Sequence, residues 1–303
     1  MRRSSKGPKR AASSRVDAAD SADRRARHEA GGLLGDTVAR DYGRKLRLFN
    51  LFAEPELRHA AASIGLAPGM RVLDAGCGCG QTLEYLAGEV GDPGLVVGID
   101  LAAAHAAAAG MAAAANVNVL QADLLHPPFS VGSFDLIWAV NTINHLRSPL
   151  DGLQQLARLL RPNGRIVLGQ SSLLPDMYLA WDYRLERLVD EAVRRYYRDR
   201  YGLEERDTTA SRAIVGLLRK SQFREIKVRT IPIERIAPLR EADEAYLMEV
   251  VFRGFWGERL KPYLPAEDFA QLRELCNPED DRFALKRPDF HFVQTLTLAI
   301  GAC

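Results

Sequence analysis

The sequence predicts an α/β fold, a mostly parallel seven-stranded sheet with helices on both faces and a helical cap insertion, and three observations predict it. Short β-branched apolar runs recur at Met70–Ala75, Leu95–Asp100, Val117–Asp123, Phe134–Val140 and Arg165–Gln170. Each is continuously apolar, the pattern of a strand covered on both faces. The stretches between them have room for a helical crossover each time, which implies parallel strands joined by right-handed connections. Two later extended runs complete the sheet, Glu225–Ile233 and Phe290–Ile300; in the second, Phe290, Phe292, Gln294, Leu296 and Leu298 alternate with His291, Val293, Thr295 and Thr297.

At 303 residues and 47% hydrophobic, the chain can build one large domain or one domain with a sizeable insertion. Residues 1–30 mix Arg, Lys, Ser, Ala and Asp with almost no large apolar side chains, and read as a disordered basic tail. Asp17, Asp20, Asp23 and Glu29 argue against an organelle transit peptide. Residues 31–64 read as N-terminal helices: Leu46, Phe49, Leu51, Phe52, Leu57 and Ile64 fall at helical spacings, and Pro55 divides the run in two. Residues 65–172 hold the first five strands. Between the second and third of these, Ala102–Ala115 is nearly all alanine, a strong helix former expected to pack closely on the sheet.

Residues 173–207 read as a helical cap insertion, since Trp181, Tyr183, Leu185, Leu188, Val189, Val193, Tyr196 and Tyr197 recur at helical spacing among charges. Residues 208–303 supply the rest of the sheet and a second helical insertion at 241–276. Both insertions are expected to cover the carboxyl edge of the sheet. For Tyr178, Trp181 and Tyr183, packing is expected of two and acceptor lining of one; Phe252, Phe255 and Trp256 read as core.

Charge narrows the partners. Lys and Arg total 41 against 39 Asp and Glu, a net charge of +2, so no nucleic acid partner is expected on electrostatic grounds. The longest apolar approach to a membrane span, Leu101–Ala115, is mostly alanine and is interrupted by His105 and Gly110, so no membrane partner is expected either. Cys77, Cys79, Cys276 and Cys303 show no disulfide framework, which suits a cytoplasmic setting, and the Cys77/Cys79 pair lacks a second pair at metal-ligand spacing. The oligomeric state is left open, a homodimer included.

Val72-Leu73-Asp74-Ala75-Gly76-Cys77-Gly78-Cys79-Gly80 places a glycine-rich turn between the first strand and a helix starting near Gln81. Such a turn brings a ligand against the main chain and offers free amides at a helix start. Nucleotide, dinucleotide and sulfonium-nucleoside sites all use one. Two carboxylates discriminate. Asp100 closes the second strand, where it can accept from the hydroxyls of a ribose. Asp74, just before the glycines, would repel a pyrophosphate and attract a cation.

VLDAGCGCG, GID, QAD, FDLIWAVNTINHL and RPNGRIVLG, in that order and spacing, resemble the ordered motifs of the class I S-adenosylmethionine-dependent methyltransferases, small-molecule type, over about residues 40–170, with a compatible ending in HFVQTLTLA. The resemblance implies a Rossmann-like fold and S-adenosyl-L-methionine as cofactor, with S-adenosyl-L-homocysteine as product. It further implies that Gly76 and Gly78 lie against the methionine moiety, with Gln81 beside them at the helix start. Asp100 would hold the ribose, and Asp123 the adenine amino group, with Leu101 and Leu124 flanking the ring. Asn141 would face the methionyl part through its backbone, and Tyr42 would close the pocket from an N-terminal helix.

Methyl transfer needs alignment more than side-chain chemistry. If the acceptor must lose a proton, His145, just past the fourth strand, is the best-placed base or orienter, and Asn144 in the same loop can orient the acceptor by hydrogen bonds. The acceptor is expected to be a small molecule. Alternatives are a nucleic-acid or protein methyltransferase, a nucleotide-cofactor oxidoreductase on the same fold, and a non-catalytic binding or scaffold protein. Against the first stands Asn141-Thr142-Ile143-Asn144 where an Asn-Pro-Pro-Tyr-type motif would sit; against the oxidoreductase stand Asp74 and the missing Gly-x-Gly-x-x-Gly spacing.

Overall fold

A computed structural model describes residues 42–146, 148–172, 176–178, 181–201, 210–221 and 223–302. The tail expected at 1–30 and the start of the N-terminal helical segment lie outside the described residues, as does the side chain of Tyr178.

Five parallel strands form one half of the sheet: β1 (Arg71–Ala75), β2 (Leu95–Asp100), β3 (Val117–Gln121), β4 (Phe134–Val140) and β5 (Leu160–Ser171). β6 (Asp176–Tyr178), β7 (Arg224–Ile236) and β8 (His291–Ala302) run antiparallel to their neighbours. The order is β3-β2-β1-β4-β5-β8, with β7 on the far side of β8 and the short β6 pairing the start of β8. The seven expected strands are therefore present, and β6 is a three-residue addition. β3 departs from the two-face reading: it is an edge strand and largely exposed, and its pairing stops at Gln121, two residues short of the expected end. At β5, the Pro162-Asn163-Gly164 turn is taken up as an irregularity between the pairs Phe134–Leu160 and Leu136–Arg165, with Asn163 at φ 64°.

Alternate residues of each central strand feed two cores. Val72, Val96, Leu136, Trp138 and Val167 face α1 (Tyr42–Phe52), α2 (Glu54–Ser63) and α3 (Gln81–Val90). Leu73, Val97, Ile99, Ile137, Ile166 and Leu168 face α5 (Pro149–Leu159) and α7 (Ala210–Lys220). α4 (Ala103–Met111) explains the alanine run: Ala106 and Ala109 are buried, and a larger residue at 109 would meet the turn at Gly80. The insertions extend the first core. α6 (Tyr183–Tyr201) buries Leu185, Val189, Ala192, Val193 and Tyr197, while Tyr183 is exposed. α8 (Glu241–Tyr246) continues as a π-helix over Leu247–Phe255, and α9 (Ala266–Cys276) follows.

The N-terminal helices are tied to this insertion, which sets their place over the sheet. Tyr246 stacks on Phe52 at 4.3 Å between ring centroids and meets Phe49 at 5.8 Å. Arg235 of β7 donates to Glu56 of α2 (2.8 Å), to Asp243 of α8 (2.9 Å) and to the carbonyl of Phe52. Arg240 joins the same carboxylate at 2.6 Å. Fully satisfied, a buried charge cluster of this kind fixes geometry.

Candidate active site

The order of the strands reverses at β1, which has β2 on one side and β4 on the other. Open α/β sheets leave a crevice at the carboxyl ends of the strands at such a point. Here it is a cleft of about 350 Å³. The strand tips and the turns after them bring Asp74, Gly76, Gly78, Asp100, Leu101, Asp123, Leu124, Asn141 and His145 to its walls. α1 and α2 close it with Leu46, Phe49, Asn50 and Leu57.

The glycine turn is shaped by its neighbours. Gly76 has φ 84°, and a Cβ there would lie 2.4 Å from the side chain of Thr142. Gly78, at φ 54°, would put a Cβ 2.5 Å from Leu46 of α1. Both glycines line the cleft, and neither position could carry a side chain without displacing Thr142 or Leu46.

Asp100 is pre-oriented. Its Oδ2 accepts from the Gly78 amide and its Oδ1 from the Ala102 amide, both at 2.9 Å. His105 Nδ1 stands 3.4 Å from the same Oδ1. Asp123 closes its own turn by accepting from the Leu125 amide at 2.9 Å, and about half of its side chain stays open to solvent. Leu101, 70% exposed, and the buried Leu124 offer two apolar surfaces in the cleft.

Asp74 is 3% exposed, because its side chain points to the face of β1 that α1 and α2 cover. Burial, and then the charge of Asp100, push its carboxyl up from 3.8 to about 8. Among the described residues nothing hydrogen-bonds its Oδ2. A buried carboxyl left in this state gains from any cation brought beside it.

Asn141 follows β4 directly at φ 55°, a conformation asparagine tolerates. Its Oδ1 accepts from the Ser171 amide (2.8 Å) and hydroxyl (3.0 Å), which fixes the side chain of a residue that lines the cleft. His145 lies on the helical turn Ile143–His145 that follows.

Three other expected site residues stand differently. Gln81 is outside the lining; its Oε1 accepts from Asn50 of α1 at 3.0 Å, so it holds the closing helix. Asn144 is also outside the lining, with a buried Oδ1 that has no partner among the described residues. Tyr42 is the first residue of α1, and its side chain lies outside the described residues. Conversely, sequence reasoning did not single out His105, Leu46, Phe49, Asn50 or Thr142 as lining. For His105 the signal was present: it falls in the first turn of the helix after Asp100, so its side chain reaches back toward the strand tip.

The described insertion residues, 181–201 and 241–276, contribute no lining to this cleft. Their influence on it passes through α1, by way of Phe49 and Phe52 against Tyr246.

Among the described residues, the lining holds three carboxylates and neither Lys nor Arg. That composition repels a pyrophosphate and fits a positively charged nucleoside. The orphaned Asp74 oxygen and the bare glycine turn suit S-adenosylmethionine, whose sulfonium and ammonium groups carry the missing charge.

The comparisons with known proteins agree. A family model described as a methyltransferase domain matches residues 73–168. The chain is 32% identical over 236 residues to the nocamycin O-methyltransferase of Saccharothrix syringae, a match covering 73% of this chain and 82% of that protein. It is 30% identical over 171 residues to the demethylmenaquinone methyltransferase of Lactiplantibacillus plantarum, covering 54% of this chain and 71% of that protein. The fold matches the crystal structure of the YcgJ protein from Bacillus subtilis with a TM-score of 0.50 at 17% identity, over 82% of this chain and 98% of that one. An acidic, glycine-floored cleft at the reversal point of the sheet and a relative of this coverage lead to one assignment: the chain belongs to the class I S-adenosylmethionine-dependent methyltransferases.

Proposed function

We propose that this enzyme methylates a hydroxyl group of a small molecule. The observation that carries the reading is the closure of the cleft: α1 forms one wall, which leaves a bulky polymer less room to reach a bound cofactor than a small molecule has. The similarity to an O-methyltransferase named for nocamycin supports an oxygen acceptor. When bound, S-adenosylmethionine supplies a methyl group made electrophilic by its sulfonium.

In this reading Asp100 holds the ribose, Asp123 receives the adenine amino group between Leu101 and Leu124, and Asp74 faces the cationic end. Gly76 and Gly78 admit the methionyl part to the main chain, and the backbone of Asn141 faces it. His145 takes the proton from the acceptor hydroxyl as the new carbon–oxygen bond forms. Leu46, Phe49 and Leu57 exclude water from the transfer path, which strengthens the electrostatic contacts inside.

The test is a screen with an isotopically labelled methyl donor, offering hydroxylated small molecules beside bulk tRNA and unfolded protein, with mass detection of products. Label in small-molecule methyl ethers supports the reading. Label confined to RNA or protein replaces it with a macromolecular acceptor.

A further inference from the structure

Gln294 breaks the apolar stripe of β8. Its neighbours on the same face, Phe292 and Leu296, are fully buried, and Gln294 itself is only 4% exposed. A buried amide is costly unless both its ends are bonded. Here both are. Its Oε1 accepts from the Tyr246 hydroxyl at 2.9 Å, and its Nε2 donates to the Ser172 carbonyl at 2.8 Å. A leucine would fill similar space with no polar atom to satisfy; what the amide adds is a fixed direction at each end.

Those two ends lead to two different residues of the cleft lining, Asn141 and Phe49. Ser172 is further pinned by Thr295, whose carbonyl accepts from the Ser172 amide (2.8 Å) and whose amide donates to its hydroxyl (3.1 Å). The adjacent Ser171 holds the Asn141 side chain with its amide and hydroxyl. At the other end, the Tyr246 ring stacks on Phe52 and touches Phe49, and Phe49 lines the cleft from α1. The path from α1 through Tyr246, Gln294, Ser172 and Ser171 to Asn141 is thus unbroken in contact or covalent bonding.

We propose that Tyr246 and Gln294 are positioning residues that hold the closing helix α1 in register with Asn141, and so set the affinity of the cleft for the cofactor. Neither touches the cleft; both act through residues that do. The inference rests on the family's cofactor and on no particular acceptor, so it stands or falls separately from the acceptor assignment.

The experiment measures S-adenosylhomocysteine binding by calorimetry, with thermal unfolding of each variant as control. Tyr246→Phe keeps the ring and its stacking and removes only the hydroxyl. Gln294→Met keeps the volume and removes both bonds. Asn141→Gly keeps the left-handed backbone and removes the side-chain end of the path. Each of the first two is expected to raise Kd about fivefold, within the coupling range of groups that share a network. Either change added to Asn141→Gly is expected to shift Kd by less than about twofold, because the path is already cut. If Gln294→Met does not fold, Tyr246→Phe decides. Unchanged affinity with lowered thermal stability, or losses that multiply in the Asn141→Gly background, reduces the pair to core packing and overturns the proposal.

Discussion

Gly78 and Asp100 are joined across the head of the cleft: the Gly78 amide donates to the Asp100 Oδ2 at 2.9 Å, while the Ala102 amide binds the other oxygen at the same distance. One carboxylate therefore fixes the glycine turn and the start of α4 together, and still presents lone pairs to the cleft. Asp100→Ala should remove the group proposed to hold the sugar and leave two part-buried amides without acceptors. A loss of at least about tenfold in S-adenosylhomocysteine affinity is expected, with about 1–3 kcal/mol of stability. Calorimetry and chemical denaturation measure the two; unchanged binding would remove Asp100 from the site.

The turn tolerates substitution unequally. At Gly76 a Cβ meets both γ atoms of Thr142 at 2.4 Å with φ at 84°, so both strain and overlap oppose it. Gly76→Ala should cost about 2–4 kcal/mol and abolish cofactor binding. At Gly78 the nearest atom is the end of the Leu46 side chain, at 2.5 Å, which can move. Gly78→Ala in a Leu46→Ala background should regain most of the stability lost in Gly78→Ala alone. Equal losses in the single and double variants would show that the backbone angle, not Leu46, sets the cost.

Arg235 gathers Glu56, Asp243 and the Phe52 carbonyl between β7, α2 and α8. Removing it as Arg235→Met should cost about 3–5 kcal/mol, because Glu56 and Asp243 are left buried with one cation fewer. Burial alone would raise the Asp243 carboxyl, but the hydrogen bonds from Arg240 and Arg235 outweigh it and hold it below its ordinary value. The stability this supplies is present above the unfolded-state pKa and is lost as pH falls through the depressed folded one. Acid unfolding of Arg235→Met should therefore begin at higher pH than in the parent, and a midpoint at the same pH would count against the cluster.

Legibility in the sequence followed how local each cause is. Asp100 and Asp123 were readable because strand ends and turns are local, and the sheet then brings strand ends together. Gln81 shows the limit: its place at the helix start was readable, but its bond to Asn50 depends on where α1 lands. Leu46, Phe49 and Asn50 carry helical spacing that marks a buried face without saying what it covers. His105 carried its signal in its place, one polar residue in the first turn of an alanine-rich helix just after Asp100. Gln294 was visible as a polar residue on the inward stripe of β8, yet its partners Tyr246 and Ser172 lie 48 and 122 residues away. The insertions were readable as helices, but not their route to the cleft, which passes through α1.

Asp74 makes the sharpest pH prediction. Its carboxyl, raised from 3.8 to about 8 by burial and then by Asp100, keeps a proton in the folded protein that the unfolded chain has released. The unfolded state therefore binds fewer protons between about pH 4 and pH 8, and the ligand-free protein should lose stability as pH rises through that window, then level off. A bound cation reverses the balance by favouring the carboxylate, so binding at pH 7 must expel a proton, and affinity for S-adenosylmethionine must climb toward pH 8. Calorimetry at pH 7 in two buffers of different ionisation heat counts that proton. Asp74→Asn should release none, flatten the stability slope between pH 4 and pH 8, and bind at least about tenfold more weakly, as expected when a buried charge partner is withdrawn. If the parent binds S-adenosylmethionine without releasing a proton, Asp74 does not meet the cationic end as a carboxylate.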